Sequence, residues 1–419
     1  MRRAVLLSLV LLLGLSAGCG GEASPSPSPS PSSTPTSAPV TEATDSPGNT
    51  PTSSGPASCE VFTLPSQAPI PPIDEDDHVV GPDDASITFI EYADFECPAC
   101  SQLHTLREYL RDKYGDELRF VYRHLPLISI HDKAVITAEA VEAAAAQGKF
   151  WELHDLLYER QQEWRELSEE DLVEKLVEYA GDLELDTGQF EEALTEHTYR
   201  DDILADLEAY EEYGQMATPT YVVNKIFYPT QQFGGFGQLE GFIGLVTMRE
   251  RMYDSPPPQV IEADKEYVAT IRTSKGDITV ELFEDQAPTN VNSFVFLAQE
   301  GWYDGLDFFY VNHDQFAVSG DPTNSASALP YPGYTCEDET TPDLSFDEGG
   351  LLALYTSAPN RNSSSFLITY APQPDFTGNL TIIGRVTGEM DVAERLTETA
   401  PRADQAEPDA IETIVIEEK

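Results

Sequence analysis

Basic side chains are scarce: 24 Lys and Arg stand against 74 Asp and Glu in 419 residues, a formal net charge of −50. A surface of that sign repels phosphate backbones, so nucleic acid is not expected as a partner. Long apolar runs are lacking too. The most extended, residues 4–15, is too short for a comfortable transmembrane helix. Cysteine is used five times, as Cys19, Cys59, Cys97, Cys100 and Cys336. Zinc held by Cys97 and Cys100 would need two further ligands. No second Cys-x-x-Cys and no paired His motif supplies them, so no metal and no cofactor is expected. What is present, 40% hydrophobic residues in a chain of this length, suffices for two domains with linkers.

The first residues have the layout of a secretory signal. Arg2 and Arg3 precede the apolar run, and the small residues Ser16, Ala17 and Gly18 precede Cys19. Residues 1–19 resemble a bacterial lipoprotein signal with its lipobox, with Ser16 where leucine is usual. The resemblance implies that Cys19 is lipidated and anchors the chain to a bacterial membrane, on its extracytoplasmic side. An ordinary cleaved signal with an incidental cysteine is the other reading. Residues 20–58, rich in Ser, Pro and Thr from Ser24 onward, cannot build a core and read as a disordered tether. With Cys19 lipidated and Cys97 and Cys100 a redox pair, Cys59 and Cys336 remain. In an oxidising compartment they are expected to form a disulfide between the tether's end and the C-terminal domain.

Past the tether, residues 87–92 (Ile-Thr-Phe-Ile-Glu-Tyr) read as a largely buried strand, and a helix starts near Cys97 with Leu103, Leu106 and Leu110 on one face. Residues 118–122 form a second strand. From His131 to about Gly214 the pattern is helical, including a start at Ser168 with Asp171 three residues on, the spacing of a capping box. A short strand at 221–224 and a helix at 239–252 close an α/β unit. Pro256, Pro257 and Pro258 mark a boundary, and residues 256–264 read as a linker. Beyond it the texture is mostly β: a hairpin across Ser274-Lys275-Gly276, short strands with Gly/Pro turns, helices near 289–299 and 392–397, and a final strand at 411–416.

The chemistry concentrates at Cys97-Pro98-Ala99-Cys100. A thiol reacts only as thiolate, and a cysteine at a helix start meets unpaired backbone N–H groups that favour the charged form. Pro98 suits the first turn because its missing donor costs nothing there. Cys97 is therefore the nucleophile and Cys100 the resolving thiol, with a structural disulfide the bland alternative. Glu91 lies in the preceding strand. Buried there, it would have a raised pKa and could relay a proton to Cys100; on an exposed face it would do nothing.

Residues 75–255 resemble the DsbA-like branch of the thioredoxin superfamily. The resemblance is carried by Phe95-Glu96-Cys97-Pro98-Ala99-Cys100, by Phe120-Val121-Tyr122-Arg123-His124, by His131 with the Ala-rich helix after it, and by Ala217-Thr218-Pro219-Thr220-Tyr221. It implies a thioredoxin fold with a helical insertion and dithiol oxidation of partner proteins. It also implies a cis Pro219 opposite the cysteines, with Pro98, Thr218 and Pro219 meeting substrate. His124 and His131 read as structural.

Residues 265–419 resemble a cyclophilin-type peptidyl-prolyl isomerase. Gly276-Asp277-Ile278, Ala287-Pro288-Thr289-Asn290-Val291 with Phe294, Ser319-Gly320-Asp321-Pro322, Gly333-Tyr334, Pro359-Asn360 with Ser363-Ser364-Ser365-Phe366, and Gly384-Arg385-Val386 carry that resemblance. It implies a mostly-β closed barrel with capping helices. The family's arginine position reads Tyr310, and no Lys or Arg occurs between Gly276 and Asn360. The glutamine position reads Val318, with Gln315 close enough for a register shift to replace it, and the second phenylalanine position reads Leu367. Phe316, Phe366 and Phe376 are left to line an apolar groove. A tyrosine cannot reproduce the guanidinium's fork of donors, so isomerase activity is expected to be weak or absent.

The expectation is thus a two-domain, membrane-anchored thiol–disulfide oxidoreductase. It would act on unfolded or folding exported proteins and exchange electrons with a membrane redox partner. A bifunctional foldase with genuine prolyl isomerisation and a non-catalytic surface binding lipoprotein are the alternatives.

Overall fold

A computed structural model describes residues 57–419, apart from 212–213, 215–216, 230–237, 389 and 400–406. The expected signal segment, Cys19 and the tether up to residue 56 lie outside the described residues. Ser53–Lys419 forms one compact unit. No helix among the described residues is long and apolar enough to cross a membrane.

The chain enters as a three-residue strand, β1 (Cys59–Val61). A five-stranded sheet follows, built from β2 (His78–Val80), β3 (Ile87–Ala93), β4 (Leu118–His124), β5 (Thr220–Val223) and β6 (Ile226–Phe227), in the order β2-β4-β3-β5-β6. Strands β3 and β4 run parallel, and their neighbours are antiparallel. Both faces of β3 are covered, which is why its sequence reads as a nearly continuous apolar run. Ile87, Phe89 and Ala93 join the main core together with both redox cysteines. Ile90 and Tyr92 pack on the opposite face with Val121, Val222 and Leu207.

The crossover from β3 to β4 is two helices, Pro98–Leu103 and Leu106–Tyr114, where the sequence suggested one. The break has a local cause. His104 Nδ1 lies 2.6 Å from the Ser101 carbonyl and donates to it, occupying the acceptor that a continuing helix would offer to Thr105. The helical insertion runs between β4 and β5 and includes Ala134–Ala145, Phe150–Glu159, Gln161–Trp164, Glu169–Asp182, Thr187–Thr195 and Arg200–Glu211. Ser168 caps its helix by accepting from the Asp171 backbone N–H at 3.2 Å.

The second half is an eight-stranded curled sheet. Its strands are β7 (Tyr267–Thr273), β8 (Gly276–Leu282), β9 (Tyr310–Asn312), β10 (Phe316–Ser319), β12 (Leu351–Leu354), β13 (Phe366–Thr369), β14 (Ile382–Val386) and β15 (Ile411–Glu418). They lie in the order β15-β7-β8-β14-β12-β13-β10-β9. Isolated bridges join Asp307 to Ala410, just ahead of β9 and β15, and Val311 of β9 to Thr399. The helix Pro288–Gln299 packs against the β15 side.

Strand β11 (Tyr334–Cys336) belongs to neither large sheet; it pairs with β1, so the first described strand joins the C-terminal half. Cys59 and Cys336 face each other in that ladder and are joined as a disulfide. The halves also meet where Gly241 and Gly244 of the helix Leu239–Thr247 lie against Ser327 and Thr323. A Cβ at either glycine would overlap those side chains, so only glycine permits this approach. The proline-rich junction is held as well: Asn292 accepts from the Val260 backbone N–H at 2.7 Å and donates to the Pro258 carbonyl at 2.9 Å.

The disulfide closes a sequence separation of 277 residues, and its removal releases that constraint in the unfolded chain. Cys336→Ser is expected to lower the unfolding free energy by about 2–5 kcal/mol, measured by denaturant unfolding without reductant; an unchanged midpoint would count against the staple.

Candidate functional site

Cys97 is the N-cap of the helix Pro98–Leu103, with Pro98 in the first turn. The turn that delivers it from β3 is held at several points. Asp94 Oδ1 accepts from the Glu96 N–H at 2.8 Å, and the Asp94 carbonyl accepts from the Cys97 N–H at 3.1 Å. Asp94 Oδ2 accepts from the Leu127 N–H at 2.9 Å and from His131 Nδ1 at 2.6 Å, which gives His131 a positioning role. From the insertion, Gln161 Nε2 donates to the carbonyls of Phe95 at 2.7 Å and Cys97 at 3.0 Å. No sequence signal marked Gln161; only the fold brings it here.

Both cysteines are thiols in this structure. Cys97 is 6% exposed and Cys100 1%. The Cys97 thiol donates to the Thr218 carbonyl at 3.4 Å, and the Thr218–Pro219 peptide bond is cis. Proline and cysteines are therefore neighbours although more than a hundred residues apart in the chain. The Thr218 hydroxyl is buried without a partner while Cys97 is protonated, so it is available to the thiolate. The Cys97 pKa is pulled down to about 5: hydrogen bonding to Cys100 is the largest cause, and Thr218 and the backbone N–H groups of Cys100 and Ala99 add to it against the opposing effect of burial. Cys100 goes the other way. Burial, and then the neighbouring Cys97, push its thiol far above the ordinary range.

Glu91 is 5% exposed, on the core face of β3. Burial pushes its carboxyl up to about 8, opposed by the hydroxyl of Tyr221 and the charge of Arg107. Tyr221 stands directly opposite it in the β3–β5 ladder. Glu91 is also near enough to Cys100 for its charge to raise that thiol. Around the three sit groups that the sequence did not single out. The Tyr122 and Tyr158 hydroxyls are 3.1 Å apart, and buried Arg107 pairs with Asp155 at 2.6 Å while stacking over Trp151.

In the barrel, Tyr310 of β9 faces Val318 of β10. Gln315 lies in the turn between those strands, where its side chain accepts from the Tyr310 hydroxyl at 3.1 Å. The register therefore leaves Gln315 outside the Val318 position. Phe316 and Phe376 pack together with ring centroids 5.6 Å apart, beside Tyr310, Val318 and Leu367. Phe366 does not join them, which corrects the expected groove. It is fully buried inside the barrel against Phe294, Tyr303 and Phe308, because strand alternation sends Phe366 inward and Leu367 outward.

Residues 268–418 match the family described as cyclophilin type peptidyl-prolyl cis-trans isomerase, and residues 74–238 match the family described as thioredoxin. A peptidyl-prolyl cis-trans isomerase of Schizosaccharomyces pombe is 39% identical over 127 residues, 30% of this chain and 82% of that protein. The chain thus belongs to the cyclophilin-type family through its C-terminal domain, and it joins to that domain a thioredoxin-like one. A Na(+)/H(+) antiporter NhaA of Salinispora tropica is 44% identical over 155 residues, 36% of this chain; the chain covers only 22% of that antiporter. Among solved structures, a Cryptosporidium parvum cyclophilin is 27% identical over 36% of this chain and 98% of its own, with a TM-score of 0.33. The Wolbachia pipientis alpha-DsbA1 structure is 22% identical over 36% of this chain and 76% of its own, also with a TM-score of 0.33.

The depressed Cys97 pKa fixes a pH signature. Thiolate-dependent alkylation of Cys97 should hold a plateau from neutral pH downward and fall only through about pH 5; a profile rising through pH 8–9, as for a free thiol, would contradict the site. The sign for stability follows. A folded-state pKa below the unfolded one stabilises the reduced chain above the ordinary value of 9.0, and that stabilisation is lost as pH falls through about 5. The disulfide form carries no such dependence.

Proposed function

We propose that this chain is an extracytoplasmic, lipid-anchored thiol–disulfide oxidoreductase that forms or rearranges disulfides in unfolded and folding exported proteins. The observation that carries the reading is the asymmetry of the pair: Cys97 caps a helix start beside Thr218 with its pKa drawn down to about 5, and Cys100 is buried with its thiol pushed far above the ordinary range.

In the oxidised protein, a substrate thiolate attacks Cys97 Sγ. The Cys97–Cys100 bond breaks, and its electron pair leaves on Cys100. That sulfur is buried, so it needs a proton, and the proposal assigns its delivery to Glu91, whose carboxyl burial pushes up to about 8. The second substrate thiolate then attacks the substrate sulfur of the mixed disulfide and expels Cys97 as the stabilised thiolate. The substrate has lost two electrons and the Cys97–Cys100 pair has gained them. An external oxidant, proposed to be a membrane redox partner, takes them back.

Oxidation of a dithiol peptide by the full chain should disappear in Cys97→Ser, whereas Glu91→Gln should slow the step that exchanges the Cys100 proton by about a hundredfold. Stopped-flow fluorescence separates that step from the first attack; an unaffected Glu91→Gln rate would remove Glu91 from the mechanism.

The cyclophilin-like domain is proposed to bind unfolded peptide through the Tyr310, Phe316 and Phe376 face with little or no isomerase activity. Tyr310 stands at the arginine position with its hydroxyl engaged by Gln315, and a tyrosine cannot supply the guanidinium's fork of donors. A protease-coupled prolyl isomerase assay on the full chain should give a rate far below that of ordinary cyclophilins, and Tyr310→Arg combined with Val318→Gln should raise it. A cyclophilin-like rate in the unsubstituted chain would favour the bifunctional foldase.

A further inference from the structure

A second cluster of reactive side chains sits in the thioredoxin-like domain, outside the redox pair. His78 comes from β2, His124 from the end of β4 and Glu142 from the helix Ala134–Ala145. Their nitrogen and oxygen ligand atoms all lie within 4.8 Å of one another. Both imidazoles converge on the same atom: His78 Nε2 is 2.7 Å and His124 Nε2 2.8 Å from Glu142 Oε1.

The rings are fixed from behind. Phe150 stacks on His78 with centroids 3.4 Å apart and planes 15° apart, and Tyr122 and Phe150 stand edge-on to His124. Glu142 is fixed in turn by its helix. The cluster opens on a cavity of about 530 Å³ whose wall also carries Glu75, Asp76, Asp202 and Asp206 and no Lys or Arg. In the adjoining smaller cavity, Arg123 is engaged by Asp77 through two hydrogen bonds, of 2.6 and 2.7 Å, and its charge also acts on Asp206.

A plain hydrogen-bonded knot of two histidines on one carboxylate would hold these three groups together. It does not account for the lining of the cavity on which the imidazoles open, where four further carboxylates stand and no Lys or Arg does. A divalent cation satisfies both features. We propose that His78 Nε2, His124 Nε2 and the Glu142 carboxylate bind a zinc-class divalent transition metal, with its remaining coordination open to the acidic cavity. Two imidazoles and one carboxylate suit zinc better than calcium or magnesium, which prefer all-oxygen sites. Three protein ligands with an open position are a stable zinc arrangement. Such an ion would fasten edge strand β2 to the sheet and to the helical insertion.

The test uses the full chain carrying Cys97→Ser and Cys100→Ser, so that no redox thiolate competes for metal. After chelator treatment, calorimetric titration with ZnCl2 at neutral pH should show one Zn2+ per chain. His78→Ala and Glu142→Gln should each weaken binding by more than about tenfold. In the chain without these two substitutions, 15N-histidine spectra should show Zn2+ shifting the resonances of His78 and His124 and sparing the other histidines. That readout stands even where a substitution disturbs folding. Absence of stoichiometric Zn2+ binding, binding that both substitutions leave unchanged, shifts confined to other histidines, or binding of Ca2+ without Zn2+ would each overturn the proposal.

Discussion

Charge separation between two sulfurs three residues apart is the constraint on which the redox half depends. A thiolate at Cys97 needs donors and must still reach a substrate; a neutral thiol at Cys100 needs burial. The end of β3 meets both demands, because the chain turns there from a covered sheet into a helix start. The outer sulfur receives backbone N–H groups and Thr218, and the inner one receives the core. Asp94, Gln161 and the β5 strand following Pro219 hold that turn. Glu91 is the ionisable exception in an apolar layer, and the proposed relay gives it a purpose, since the buried sulfur has no solvent with which to exchange its proton.

The two domains are tied more closely than a linker would require. The β1–β11 ladder, its disulfide and the glycine face of the helix Leu239–Thr247 join them into one compact unit. The proposed peptide-binding surface is thereby kept on the same body as the redox pair. That arrangement suits the proposed handling of unfolded chains even if the barrel turns no X-Pro bond itself.

Much of this was legible in the sequence because the signals were local. The strand at Ile87–Ala93, the Cys-x-x-Cys with Pro98 and the hairpin across Gly276 each announce themselves within ten residues. Where the sequence was misleading or silent, the causes differ. In β13, Phe-Leu-Ile-Thr is buried on both faces, so no alternation told Phe366 from Leu367. The break at His104 arises from a side chain competing for one carbonyl, which leaves no glycine or proline to see. The His78–His124–Glu142 cluster was invisible to motif spacing, because its members come from three elements. The absence of paired ligand motifs speaks only to ligands close in sequence.

The reduction potential of the Cys97–Cys100 couple tests the central claim most directly. Stabilising the Cys97 thiolate stabilises the reduced form, so equilibration of the full chain with glutathione should give an oxidising value, nearer roughly −120 mV than roughly −270 mV. A potential close to roughly −270 mV, typical of a thioredoxin-type reductant, would contradict it.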